Sequence, residues 1–474
     1  MIGRTKLLIA VVAATAAVLA IQVFVPPIAG IANQGDFYRT IGRFSYGPQS
    51  RGALNYSFVE PKYVPDAGYR ARGWEQATSE NLFVAAMLLV NKPISMSGVL
   101  DIRVAGLVHG LAFLAAFARL LWVAGRGRAR PVLWLAAAVA LTDIGYTQYW
   151  NSFYSEPAAC IFFLLALAEG LDMAVRGRAS RAAVIRWSVW ACLLTLAKAQ
   201  YAPLGLLFGL FAFRLGSRAW SEGARAVALL GGCAVLACAA YDAMAVPPGI
   251  GVANAYNMLF GAVLVESKSP AADLQALGLE PGLARYAGTG AWSAGSAFPE
   301  MVASGTIGKR VTVFTILRFY LLRPARIWRR LERHRGRLTR FRSDLTTEWY
   351  GNFEPSAGRP PNARGGRFNL WSAFHERLLT RISLWAVATL ASWPLAALWM
   401  WARCPKGPRR LRIEAASLLP LACLASLAAL FADGFDVVKH LYLFNLTLDA
   451  CLFCAAAYCG DRLRNRRFPG RRIS

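Results

Sequence analysis

Residues 7 to about 28 are apolar over a length that can cross a bilayer, and further blocks of this kind occur near 99–124, 131–149, 156–175, 184–200, 201–214, 226–246, 381–402, 413–432 and 439–459. A hydrocarbon core of roughly 30 Å asks for about 20 apolar residues per helical crossing. Inside it, only a backbone that satisfies its own N–H and C=O groups is tolerated. The chain therefore reads as an all-α polytopic membrane protein of about ten transmembrane helices. Residues 184–214 are short for two crossings and read either as two short helices or as a broken or re-entrant pair. Composition excludes an ordinary soluble domain, with 56% hydrophobic and only 17% charged residues.

The formal net charge is +27, but the basic residues are grouped between hydrophobic blocks rather than along one face, so nucleic acid is not the expected partner. They read as topology signals. With the N-terminus inside, the cytoplasmic ends collect Arg4 and Lys6, Arg126 to Arg130, Arg176 to Arg186, Arg214 to Arg225, Arg403 to Arg412 and the tail from Arg462 to Arg472. That is the positive-inside pattern. Both termini are then cytoplasmic, and the protein is expected to be multi-pass in the plasma (inner) membrane. The run after Met1 to Lys6 is longer than a usual signal-peptide core and reads as a retained helix. Two extracytoplasmic regions result on one face, 29–98 and 247–380. The expected organisation is an N-terminal bundle over 1–246, a loop domain over 247–380, and C-terminal helices with a basic tail over 381–474. Residues 309–342 break the charge rule, since they carry twelve Lys and Arg residues on the outer side. Long loops translocate largely regardless of charge. Phe314, Leu317, Leu321, Ile327 and Leu331 among these arginines suggest a basic amphipathic helix lying on the outer leaflet, with Arg323 and its neighbours holding anionic lipid or a donor phosphate.

Under this topology the unusual polar residues gather at one depth. Asp36 and Arg39 follow the first helix and its terminating Pro26-Pro27. Glu156 closes the turn from Tyr149, Lys198 and Gln200 lie between the fifth and sixth helices, and Asp433, Asp436, Lys439 and His440 lie between the ninth and tenth. Ionisable groups at the hydrocarbon boundary are costly unless they serve a site or find a partner. Each also has a plainer reading. Asp36 and Arg39 can pair at i and i+3, Glu156 can be a first-turn acid, and the Asp436, Lys439 and His440 group can be an interfacial ion-pair cluster. Trp150, Tyr154 and Trp292 can stack on sugar rings or anchor the interface. His109, inside the second helix, reads as a hydrogen-bonded core residue.

Soluble-enzyme signatures are absent. Gly305 to Arg310 is not a phosphate loop, because Ala303 stands at the first glycine and Arg310 at the Ser/Thr position. No zinc spacing, H-E-x-x-H or G-x-S-x-G occurs, and Cys451 and Cys454 sit in an apolar helix as packing residues. No metal site is indicated, and a divalent ion stays open.

Through Asn33-Gln34-Gly35-Asp36-Phe37-Tyr38-Arg39, the Asn151 to Glu156 turn, and Asp433 to His440, the chain resembles the GT-C superfamily of glycosyltransferases. Tyr256 to Phe260 with Asp273 to Leu279, and Tyr320 to Pro324, look like outer-loop motifs of bacterial hexose transferases of this type. The single Asp36 followed by Phe37 departs from members that carry paired acids. The resemblance implies an integral membrane enzyme taking a sugar from a polyprenyl-phosphate donor to a glycan, lipid or protein acceptor on the outer face, with inversion. In that reading Asp36 is the general base. Arg39, Lys198, Arg323 or Lys439 then stabilises the leaving phosphate. Glu156, Gln200, Asp436 and His440 complete the substrate-binding set. A transporter or flippase for a lipid-linked glycan is the competing class, for which polar groups through the depth of the helices would be expected.

Overall fold

The computed structural model describes residues 2–467 except 34, 51, 53–57, 71–75, 125–129, 217–221, 342–367, 383, 386, 390, 391, 393–407, 432, 433 and 436. The chain opens with helix α1 (Ile2–Phe24), followed by an outer region containing β1 (Tyr46–Pro48), β2 (Lys62–Pro65), α2 (Glu80–Asn91) and β3 (Leu100–Asp101). The three strands form one antiparallel sheet in the order β1-β2-β3, with Tyr46 opposite Pro65 and Tyr63 opposite Leu100. This small sheet corrects the purely helical expectation. It ties the first outer loop to the start of α3 (Ile102–Ala124).

The bundle continues with α4 (Arg130–Leu141), α5 (Glu156–Arg176), α6 (Arg181–Thr195), α7 (Ala202–Gly216) and α8 (Glu222–Met244). An outer unit follows with α9 (Pro248–Tyr256), α10 (Val313–Leu321), α11 (Pro324–Arg333) and α12 (Leu370–Arg377), and the chain returns to the bundle as α13 (Pro408–Ser426) and α14 (Tyr442–Arg467). Neighbouring helices pack in the order α1, α3, α5, α6, α8, α7, α13, α14. Among the described residues four helices are long and apolar enough to cross a membrane: Arg4–Phe24, Ile102–Ala124, Glu156–Arg176 and Glu222–Met244. Others are apolar but shorter, so ten full-length crossings are not what the described residues present. The block 381–402 lies largely outside them.

The ambiguous stretch 184–214 consists of two helices, α6 and α7, of 15 residues each. Each spans about 22 Å at 1.5 Å per residue, short of a hydrocarbon core. The break between them carries Lys198 and Gln200. Helix α2 was not anticipated as an element. It packs on α3, where Glu80 Oε1 meets His109 Nε2 at 2.8 Å and Trp150 O meets His109 Nδ1 at 2.9 Å. That buried polar staple is what the sequence suggested for His109.

A second core lies in the outer unit, built from Tyr256, Phe260, Leu274, Met301, Ile316 and Phe319. The basic stretch differs from one amphipathic helix. It breaks at Arg323-Pro324 into α10 and α11. Arg326 pairs with Asp273, and the fully buried Arg330 pairs with Glu266 while its Nε donates to Leu430 O at 2.8 Å. These two arginines therefore hold the unit together rather than facing a lipid surface, because the acids come from the preceding segment 266–273. Ile316, Phe319 and Tyr320 of this segment are buried in the second core, while Phe314, Leu321, Leu322 and Trp328 remain exposed at 77%, 74%, 65% and 56%.

Helix α12 joins the outer unit to the bundle through buried carboxylates. Asp143 Oδ2 accepts from Trp371 N at 2.7 Å and Ser372 N at 3.0 Å. Asp449 accepts from Tyr146 OH at 2.7 Å, from Trp371 Nε1 at 2.7 Å and from His375 Nε2 at 2.8 Å. These contacts bring residues 370–377 to the end of the bundle where α4 finishes and α14 begins.

Candidate functional site

The site grows from a tight turn. Asn33 Oδ1 accepts from Gly35 N at 2.8 Å and Phe37 N at 3.3 Å, the local side-chain bonding that Asn favours in turns. Gly35 holds φ at 95°, and a Cβ there would meet nothing, so backbone conformation rather than crowding calls for glycine. The turn launches the 3-10 segment Asp36–Arg39, which buries Phe37 and Tyr38 and leaves Asp36 and Arg39 half-buried. Phe37 packs edge-on against Phe153 and Tyr154, and Tyr38 stacks on Tyr69. Thr40 Oγ1 donates to Phe153 O at 2.6 Å, and Tyr154 OH donates to Ala32 O at 3.2 Å. The motif after the first helix and the turn before α5 are thus one structure.

Asp36 Oδ1 lies 3.1 Å from Arg39, the i, i+3 pair foreseen as the plainer reading. It also gains a partner that no local rule supplies: Lys439 Nζ stands 2.9 Å from Oδ2. Burial alone would push the Asp36 carboxyl up, but the charges of Arg39, Lys439 and Lys198 outweigh it and hold the group far below the usual carboxylate range. Lys439 is buried and also sits 5.2 Å from the Tyr154 ring centroid. Its helix, Val437–His440, is reached through Gly434. There a Cβ would come within 2.1 Å of Asn257 O, on the π-helical turn Asn257–Val263 of the Tyr256 to Phe260 motif. Only glycine permits that approach.

Lys198 Nζ bonds the fully buried Glu156 Oε1 at 2.7 Å, while Glu156 Oε2 has no hydrogen-bond partner among the described residues. Gln200 and His440 bond reciprocally, with His440 Nδ1 and Gln200 Oε1 at 2.6 Å and Gln200 Nε2 donating to His440 O at 3.0 Å. Asp36, Arg39, Glu156, Lys198, Gln200 and His440 all line one cavity of about 590 Å³. Its other wall is apolar, with Pro203, Val246, Ile250, Phe314, Leu317 and Phe431.

Not every expected residue belongs here. Arg323 stacks on Phe319 with its guanidinium 4.3 Å from the ring centroid and does not line the cavity, because the break at Pro324 turns it aside. Asp433 and Asp436 lie outside the described residues. Trp150 is 1% exposed in the core beside His109 and Phe113, so it is no sugar platform. Trp292 is exposed and packs on Phe298, away from the cavity, whereas Tyr154 does line it.

Two residues escaped the sequence reading. Gln76 lines the cavity and donates to Asp242 Oδ1 at 3.2 Å. Asp242 is fully buried near the end of α8, and its Oδ2 has no hydrogen-bond partner among the described residues. An acid at the end of an apolar span was the available signal. Gln76, in a polar stretch without periodicity, offered none. Among the described residues no group of three or more His, Cys, Asp and Glu side chains is placed to hold a metal ion.

The family model described as the YfdI N-terminal transmembrane domain matches residues 2–470. The chain belongs to this family. It is accordingly a membrane protein, and the YfdI-type domain runs through both the bundle and the outer unit. No curated protein matches it. Among solved structures, it is similar to the archaeal oligosaccharyltransferase AglB from Archaeoglobus fulgidus, solved with an inhibitory peptide and a dolichol-phosphate. The similarity covers 98% of this chain and 52% of that one, at 14% identity and a TM-score of 0.40. The chain thus spans about half the length of that protein, and the likeness is too distant to carry function.

Proposed function

We propose that this chain is an integral membrane glycosyltransferase of GT-C type. It moves a sugar from a polyprenyl-phosphate donor to a cell-envelope acceptor on the outer face, with inversion. The observation that carries the reading is the cavity itself: Arg39 and Lys198 line one wall with Asp36 and Glu156, the buried Lys439 backs Asp36 from behind it, and an apolar wall faces them. Cations of this kind suit a lipid phosphate, and the apolar wall suits the chain attached to it.

At rest Asp36 is a poor base, because two cations occupy its two oxygens. A donor phosphate competes for Arg39 and Lys439 and, in taking them, restores the basicity of Asp36 when the acceptor arrives. The acceptor oxygen then attacks the anomeric carbon, its proton passes to Asp36, and the carbon–oxygen bond to phosphate breaks with its electron pair left on the phosphate. The cations offset the charge that develops there. A single displacement of this form inverts the anomeric centre.

Transfer of radiolabelled sugar from a polyprenyl-phosphate hexose in reconstituted vesicles tests the proposal. Label incorporated into the acceptor supports it. Movement of the lipid-linked sugar across the bilayer without incorporation would replace it with the transporter reading. The proposed orientation places the termini in the cytoplasm and 29–98 with 247–380 outside, and it has its own test. Cysteine placed at the exposed Gly282 is expected to react with an impermeant thiol reagent in intact cells. Labelling only after permeabilisation would invert the topology.

A further inference from the structure

A second charged cavity, of about 510 Å³, lies between α3, α5 and α6. Its charges centre on Glu169 and Asp172, 13 and 16 residues along α5 from Glu156. At 1.5 Å per residue that is about 20 Å away, at the other end of the bundle from Asp36. No step of the proposed transfer involves it.

Glu169 and Asp172 are 2% and 4% exposed. Arg119 bridges them at 3.0 and 3.5 Å, Arg186 bonds Glu169 at 2.9 Å, and Arg176 bonds Asp172 at 2.9 Å. Arg178 lines the same cavity and makes no ion pair among the described residues. Among the described residues that line the cavity, four guanidiniums stand against two carboxylates, a surplus of two positive charges. The two buried acids therefore do not neutralise the cavity. They fix the arginines in place, and Arg176 and Arg186 keep 46% of their side chains exposed. Each guanidinium has five N–H groups, so forked donors remain free to meet an anion. Beside them Leu165, Met173 and Trp190 line the cavity, and Ile185 and Val189 are exposed on α6 at 44% each.

We propose that this cavity binds the phosphate of an acidic phospholipid headgroup, with Arg176, Arg178 and Arg186 as its ligands and the apolar flank of α6 under its acyl chains. Basic pockets between membrane helices favour such headgroups, and the attraction adds up per cation. The site is separate from the transfer site and does not depend on the glycosyltransferase reading.

The test uses the full chain purified in neutral detergent, with thermal stabilisation titrated against phosphatidylglycerol, phosphatidylcholine and inorganic phosphate. Wild type is expected to be stabilised by phosphatidylglycerol and not by phosphatidylcholine. Arg178→Gln, which removes no ion pair, should weaken that response several-fold, and Arg178→Gln with Arg186→Gln should weaken it about tenfold or more. Arg285→Gln, on an exposed residue of the outer unit, should leave it unchanged. Equal loss in Arg285→Gln, or no loss in Arg178→Gln, would overturn the site. Full stabilisation by inorganic phosphate alone would overturn the lipid as its ligand. If the double variant fails to fold, the single variant decides.

Discussion

Asp36→Asn is expected to lower sugar transfer by about 10² to 10⁴ fold, the usual contribution of a general base. The same variant should bind a polyprenyl phosphate at least as tightly as wild type, because removing the carboxylate frees Arg39 and Lys439 from their internal counterion. Transfer and lipid binding measured on one purified sample therefore move in opposite directions. If Asp36 were only a local pairing residue, the loss would appear as about 1 kcal/mol of stability with near-normal turnover. A pH profile adds a sign. The Asp36 pKa is depressed with both cations in place, so Lys439→Gln should raise it and move the acid limb of kcat/KM to higher pH. An unmoved limb in a folded, active variant would separate Lys439 from the chemistry. Full activity in Asp36→Asn would remove Asp36 from it.

The second large effect is structural. Asp449→Ala takes away the one carboxylate that accepts from Tyr146, Trp371 and His375, all brought together in the interior. Each buried donor left unsatisfied costs roughly 1–3 kcal/mol, so a loss of about 3 kcal/mol or more is expected. The melting temperature should fall, and proteolysis should begin in the outer unit, because α12 loses its hold on α14. Asp449→Asn keeps the shape and part of the acceptor capacity, and should lie between the two. A melting temperature equal to that of wild type in Asp449→Ala would show that the Asp143 contacts alone hold α12.

Much of the candidate site was legible because topology alone sorts residues by depth. Asp36, Glu156, Lys198, Gln200 and His440 each stand where an apolar block ends, and all such ends on one side of a bilayer share a level. Hydropathy says nothing about rotation within that level. It could not tell Trp150, turned into the core against His109, from Tyr154, which lines the cavity. Charge counting failed at 326–330 for a related reason. Arginines on an amphipathic helix look alike in sequence whether they face lipid or a buried acid, and Glu266 and Asp273 decided the matter from about 60 residues away.

The amino-acid sequence by itself determined that the chain lives in a membrane, where most of its helices begin, and which loops carry unusual charge, because these follow from local hydrophobicity and from the cost of exposing backbone to lipid. Which charge meets which was decided by tertiary structure alone. Lys439 finds Asp36 across 403 positions, Lys198 finds Glu156 across 42, and Gln76 finds Asp242 across 166. Pairing of this kind depends on ångström-scale approach of helices that sequence distance does not encode, and the strength of an ion pair depends on that distance and on its burial.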